Sequence, residues 1–323
     1  MTFTERAKQW LEQSSRNSLG IAVGVAVLLT AVGGAFNRGF VSPSNLLNLL
    51  AISSLLGLAA AGQTLVVLSG GEGIDLSIGA VISLSAVLTS QISNGQNGLL
   101  FPAVVVTLVV GALLGLVNGL GIYLAQVPPL IMTLGMSSVI EGIVLVYTQG
   151  QPKGQAPPFL ATLGTGQVLG IPWLIIVWAV FTLIIWYVLK HMVYGRLLFL
   201  VGDNRSAGRM SGVPIAKLVV GTYALSGFFS ACTGILFLGY TNTTYLNIGD
   251  VYILPSVAAV VVGGTALSGG RGGYIGTVVG AILLTVLDSL LTTMHMGEAT
   301  RGIINGVVLL VLLSIYTRQP KDA

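Results

Sequence analysis

At 323 residues the chain is long enough for two soluble domains, but 54% hydrophobic residues, a mean hydropathy of +0.92 and only 7% charged residues exclude the soluble class, where about 25% charge is usual. The net charge of +4 comes from basic residues at the ends of apolar runs, with no continuous patch, so it is an orientation signal and no nucleic acid partner is expected. The composition is that of an integral membrane protein in contact with lipid.

Met1 to Arg16 is polar and slightly basic, and the apolar run after it is long enough to stay in the membrane, so no cleavable signal peptide is expected. A bilayer core of about 30 Å takes roughly 20 apolar residues as a helix. Runs near that length, bounded by polar or Gly/Pro breaks, lie near 19–36, 46–69, 76–93, 99–125, 130–148, 168–189, 216–240, 251–268, 273–293 and 302–317. They predict an all-α, polytopic membrane protein of about ten transmembrane helices, some broken. A cytoplasmic N-terminal segment 1–18, a transmembrane domain 19–317 and a cytoplasmic tail 318–323 follow. With the N-terminus inside, eleven Lys and Arg fall in inner segments and only Arg38, Lys153 and Arg301 outside, which puts both termini in the cytoplasm.

Polar groups that lipid does not tolerate sit inside these runs. Gln63, Asn118, Glu141, Asp288 and Asn305 are expected to face the bundle interior, a subunit interface or a water-filled path. Glycines spaced by four, Gly111, Gly115 and Gly119 in the fourth run, Gly276 with Gly280, and Gly302 with Gly306, read as helix-packing seams. The segment Gln149–Gln167, the longest outer one, is rich in Pro and Gly and reads as a structured turn region.

Between the sixth and seventh runs lies the one long, strongly basic interruption, residues 190–217, where Lys190, Arg196, Arg205, Arg209 and Lys217 oppose the single acid Asp203. Asp203 or Asn204 can cap a short helix from about Arg205 to Ser211, which Gly212 and Pro214 would stop. Such a helix is either a handle for a cytoplasmic partner or only a topology signal. Cys232, the single cysteine, reads as a small core residue. The outer segment Tyr240–Tyr252 combines Tyr240, Tyr245 and Tyr252 with Asn242, Asn247 and Asp250; it is either an interfacial tyrosine belt or a surface suited to a sugar ring. Pro255 removes a backbone donor in the eighth run, and Gly263 and Gly264 follow it, so that run is expected to be broken. Met294, His295 and Met296 are too few to predict a metal site.

Several stretches resemble one family. SGGEGIDLSIGA (Ser69–Ala80) looks like the Gly-Gly-Ile-Asp-Leu-Ser signature of the permease subunits of ribose, xylose, arabinose and galactose type ATP-binding-cassette sugar importers. VVGGTALSGGRGGYIGTVVGA (Val261–Ala281) resembles the glycine-rich segment of the same family, and VGDNRSAGRMSGVP (Val201–Pro214) its cytoplasmic loop, in which Gly-x-Asn precedes small residues and then Ser-Gly. With VPPLIMTLGMSSVIEGIVLVYTQGQP (Val127–Pro152), the likeness spans nearly everything after the first 40 or so residues. Here Glu72 and Gly73 are inserted between the Gly pair and Ile74, and Ala207 is followed by Gly208 where two alanines are commoner. The spacing matches no single sugar subtype.

The resemblance implies a multi-pass permease of the bacterial inner membrane, paired with a second permease subunit that is the same or a related chain. It also implies cytoplasmic ATPase subunits, which hold ATP and Mg, and a periplasmic solute-binding protein. No cofactor is implied in this chain. On that reading Gly202, Asp203, Asn204, Arg205, Ala207, Arg209, Ser211 and Gly212 couple to the ATPase, with Arg205 and Arg209 available to its acidic groups. Asp75 and Ser77 either cap the third helix or join the inner gate, while Asn118, Glu141, Gly263, Gly264 and Asp288 are the remaining pathway candidates. Gly263 to Gly273 permits either tight packing or a hinge, and Arg271 is an inner anchor.

The function expected is permease-mediated import of a monosaccharide or similar small polyol. One rival is an ion-coupled secondary transporter using Asp75, Glu141 or Asp288. Another is an ATP-driven importer of a branched amino acid, a nucleoside or a signalling sugar. An enzyme is not expected, because there is no Gly-x-x-x-x-Gly-Lys-Ser/Thr loop and His191 and His295 fall on opposite predicted sides of the membrane.

Overall fold

Long apolar runs become helices because lipid offers no partner for backbone N–H and C=O groups, so each run satisfies its own. The computed structural model describes residues 18–297, 299–304 and 306–307. Its helices are α1 (Ser18–Phe36), α2 (Pro43–Leu68), α3 (Ile78–Ser93), α4 (Leu100–Tyr123), α5 (Pro129–Thr148) and α6 (Pro158–Thr165). After a two-residue hairpin, β1 (Gln167–Val168) with β2 (Ile171–Pro172), come α7 (Trp173–His191), α8 (Val193–Asp203), α9 (Arg205–Met210), α10 (Ile215–Thr241), α11 (Ile253–Val262) and α12 (Tyr274–Thr293). Residues 1–17, Asn305, most of the expected run 302–317 and the tail 318–323 lie outside the described residues.

Seven of these helices, α1, α2, α4, α5, α7, α10 and α12, are long and apolar enough to cross a membrane. The runs expected at 76–93 and 251–268 are shorter: α3 has 16 residues, and α11 only ten, ending at Gly263 as its proline and glycines predicted. Two expectations are corrected. Within Gln149–Gln167 the proline pair starts a true helix, α6, whose Gly164 packs on the backbone of Gly239 in α10. The basic interruption carries a second helix, α8, because Leu198 and Val201, one turn apart, bury one face against the bundle.

α2 and α10 form the centre of the molecule, while α1, α4, α5 and α7 turn apolar side chains such as Val27, Leu113, Val146 and Leu183 outward, as lipid-facing helices do. α4 and α10 cross through the first predicted glycine seam. A Cβ on Gly111, Gly115 or Gly119 would meet the backbone of Gly227, Tyr223 and Val220 respectively. The second seam also forms, with Gly276 against Gly263 and Gly280 against Ala259, whereas Gly302 and Gly306 have open space around them among the described residues. Elsewhere Trp178 Nε1 donates to the Tyr274 hydroxyl (3.0 Å), which donates to the Gly57 carbonyl (2.8 Å), tying α7 and α12 to α2.

Gly115→Ala is therefore expected to destabilise the fold by about 1–3 kcal/mol, since a methyl there meets a carbonyl with no rotamer to turn away. A lower Tm in detergent would show it; an unchanged Tm would remove the seam from the packing account.

Candidate functional site

Three of the glycine-bearing segments singled out in the sequence meet at one point. The α2–α3 linker brings Gly70, the α8–α9 junction brings Gly202, and the loop after α11 brings Gly269 and Gly270. Gly270 N donates to the Leu68 carbonyl (3.1 Å), and a Cβ on Gly202 would meet Leu68 O and Gly270 N. Gly70, Gly269 and Gly270 also take positive φ (70°, 90° and 69°), which side chains strain. Three backbones touch there with nothing between them.

The short helix α9 is fixed to this junction. Asn204, not Asp203, caps it, its side-chain oxygen accepting from Ala207 N (2.9 Å). Ser211 ends it and Gly212 turns away with φ 74°. Arg205, expected to be available to a partner, folds back instead: its Nη2 donates to the Gly70 carbonyl (3.0 Å) and the residue is half-buried. Burial draws its guanidinium below the usual arginine value, opposed by the nearby hydroxyls of Tyr223 and Tyr123. Asp203, Arg209 and Met210 are exposed, and Ala207 is partly covered.

From Gly73 to Ser77 the linker is not helical and runs inward to a buried polar cluster. Asp75 Oδ1 accepts from Ser77 N (3.0 Å) and Ser77 Oγ (2.6 Å), and Oδ2 from Ser226 Oγ (2.6 Å). Asn118 Nδ2 donates to Ser77 Oγ (2.9 Å), and Asp75 N to Gln63 Oε1 (3.3 Å). On α5, Ser137 Oγ donates to the Leu76 carbonyl (3.0 Å). Ser226 is the twelfth of the 27 residues in α10, which at 1.5 Å per residue places the cluster about 17 Å along that helix. Thus α3 starts part-way through the bundle, and the linker is the broken backbone that protein must cover.

Asp75 and Ser77 do not cap α3 in the usual sense. Asp75 binds the first N–H and hydroxyl of its own turn, and Ser77 spends its hydroxyl on the carboxylate. Gln63 Nε2, Asn118 Oδ1 and the Tyr223 hydroxyl are buried here without a protein partner. Sequence reasoning named Gln63, Asp75, Ser77 and Asn118 but missed Ser226 and Tyr223, which look like ordinary helix residues until α10 packs against the linker.

The other pathway candidates lie apart. Glu141 is on the exposed flank of α5, because Thr133, Met136, Ser137, Ile140 and Val144 give that helix its buried face. Asp288, near the end of α12, pairs with Arg301 (3.3 Å), whose Nη1 also reaches Thr292 Oγ1 (2.8 Å). Gly263 is a packing contact with Gly276, and Gly264 turns the chain with φ 86°. Arg271 is exposed, and the Arg271 carbonyl accepts from Ala266 N (3.0 Å). In the outer segment, Tyr252 is buried edge-on to Phe237, Asn242 ends α10 in a left-handed turn, and Asn247 binds Asp250 (3.1 Å), which leaves Tyr245 as the exposed tyrosine of the three. Cys232 is a free, buried thiol. No group of three His, Cys, Asp or Glu stands together among the described residues.

A family profile described as branched-chain amino acid transport system / permease component matches residues 45–313. The ribose import permease protein of Haemophilus influenzae is 34% identical over 289 residues, 88% of each chain. That of Bacillus subtilis is 35% identical over 304 residues, 93% of each chain. The autoinducer 2 import system permease protein of Shigella flexneri is 32% identical over 290 residues, 89% of this chain and 83% of its own. No solved structure matches the chain.

Proposed function

The chain belongs to the family of branched-chain amino acid transport system permease components, and from that premise we propose that it is the membrane-spanning permease subunit of an ATP-driven importer of a monosaccharide or similar small polyol. Several relatives are ribose import permease proteins, and the polar cluster at Asp75 is built of groups that hydroxyls can replace. Ten spans with both termini in the cytoplasm fit the charge split and place residues 190–217 on the cytoplasmic face of a bacterial inner membrane. Cytoplasmic ATPase subunits holding ATP and Mg supply the energy, a periplasmic solute-binding protein delivers the solute, and a second permease subunit completes the pathway.

The observation that carries the mechanism is the connection from α9 to Asp75. Arg209 and Met210 project from α9 into solvent, a charge and a flexible apolar side chain suited to a groove on the ATPase. The other side of α9 holds Gly70 through Arg205, and Gly73 N in turn donates to the Gly70 carbonyl (3.3 Å). Force applied to α9 is thus delivered to the linker that carries Asp75 and Ser77. Each unmade bond of Gln63, Asn118 and Tyr223 costs about 1–3 kcal/mol, so the cluster exchanges partners at less cost than a fully satisfied one. Solute hydroxyls are natural replacements when it opens.

Uptake into proteoliposomes tests this reading. The chain assembled with its ATPase and binding protein is expected to import a sugar only with ATP present, with no effect of a protonophore. Arg209→Glu is expected to lower that uptake about ten-fold, or roughly 1.4 kcal/mol of docking, with the Tm unchanged. Ion-driven uptake by the chain alone would overturn the reading.

A further inference from the structure

We propose that the concave surface where α3 and α5 end is a receiving site for the hydroxyl groups of the solute, an outer subsite of the pathway; the assignment rests on the importer function proposed above. α3 begins beside the Asp75 cluster, and α5 begins at Pro129, which shares a cavity with Arg205 and Arg209. Both helices run away from the basic end and finish together at the opposite one. There they enclose a cavity of about 450 Å³, within the range of roughly 300–1,000 Å³ that small-molecule sites occupy.

The lining chemistry selects the ligand class. Four amides, Gln91, Asn94, Gln149 and Gln151, stand with the phenol of Tyr147 and the ammonium of Lys153, and no carboxylate lines the cavity. Amides both donate and accept, as a sugar hydroxyl does. An aliphatic solute would leave these groups desolvated and unpaired, which is unfavourable. Tyr147 adds an aromatic face, 47% exposed, for the C–H side of a ring.

The site is also preformed. Ser90 Oγ donates to the Lys153 carbonyl (3.2 Å), and Gly154 lies so close to Ser90 that a Cβ there would overlap its hydroxyl. Gln149 closes α5 in a left-handed turn, with Gly150 N donating to the Leu145 carbonyl (3.0 Å). Beneath the cavity the α3–α5 seam is apolar, with Leu84 and Val87 packed with Ile140 and Val144, and only lower down do Ser137 and the linker make it polar again. A solute held at the mouth would therefore stand above an apolar plug, with the Asp75 cluster on the far side.

The test uses the complete importer, permease with ATPase and binding protein, in proteoliposomes, measuring sugar taken up per ATP hydrolysed. Gln91→Ala gains helix propensity in α3, and Gln149→Gly places glycine where φ is 51°, so neither removes a requirement of the fold. Each is expected to lower the uptake-to-hydrolysis ratio at least about ten-fold, roughly 1.4 kcal/mol of lost hydroxyl contacts. A parallel fall in uptake and hydrolysis, ratio constant, would make the cavity a docking surface for the binding protein and overturn the subsite. No change in either would make it solvated surface, again overturning it. If the wild-type importer moves only a solute without hydroxyls, the sugar reading fails and the subsite with it; if it moves sugar and the variants match it, the subsite alone fails.

Discussion

Gly202→Ala is expected to reduce transport at least ten-fold and to lower the Tm, although it adds a single methyl group. The added Cβ would lie 2.5 Å from Gly270 N and against the Leu68 carbonyl. Those two atoms are already bonded to each other at 3.1 Å. No side-chain rotamer can relieve the overlap, so one of the three backbones must shift, an overpacking cost of about 1–3 kcal/mol. The shift would separate the α8–α9 junction from the linker that Arg205 holds. Gly221→Ala is the control: it lies in α10 with nothing within 4 Å of its Cβ position, and gains helix propensity. Uptake and Tm measured on both variants decide the matter. Wild-type uptake from Gly202→Ala would show that α9 and the linker move independently, which would break the proposed transmission.

Asp75→Ala should be more severe still, with transport falling by about a hundred-fold or more. The carboxylate accepts from Ser77 N, Ser77 Oγ and Ser226 Oγ, and Asp75 and both serines are buried to 1% exposure or less. A buried donor left unsatisfied costs about 1–3 kcal/mol, and alanine leaves all three donors buried without an acceptor. Losing even two reaches about 3 kcal/mol, which is more than a hundred-fold in an equilibrium. Asp75→Asn separates charge from geometry. Its oxygen can still accept from Ser77 and its amide can donate to Ser226, so an intermediate loss is expected. Equal loss in Asn and Ala would mean that the charge itself is required; full activity in Ala would remove the cluster from the mechanism.

The two variants probe features that were unequally visible in the sequence. Gln63 and Asn118 stood out because lipid does not tolerate such groups without a partner, and Asp75 through the likeness of Ser69–Ala80 to a family signature. Ser226 and Tyr223 gave no such signal, since a serine or tyrosine is unremarkable inside an apolar helix. Glu141 gave the same signal as Gln63 and Asn118 and yet lies on an exposed flank of α5. Polarity in a span says that a group needs company and does not say which helix supplies it. Arg205 and Arg209 likewise read as a matched pair of cations four residues apart, one helical turn. Only the approach of Gly70 turns the first inward and leaves the second free.

What the sequence determined by itself is what local chemistry dictates. Apolar run length fixed most of the helices, Pro255 with Gly263 and Gly264 set the short α11, and Asn204 with Gly212 bounded α9. The glycine spacings of α4 and α12 marked seams, because only a missing side chain lets helices approach so closely. The tertiary structure alone decided which backbones fill those gaps, that Gly70, Gly202 and Gly270 meet, and that α3 and α5 end around one amide-lined cavity. Outside the α12 seam, where Gly263 meets Gly276 and Ala259 meets Gly280, these contacts join residues more than fifty positions apart, and no local propensity encodes a partner at that distance. They arise from the packing of whole helices, which depends on the summed fit of both surfaces.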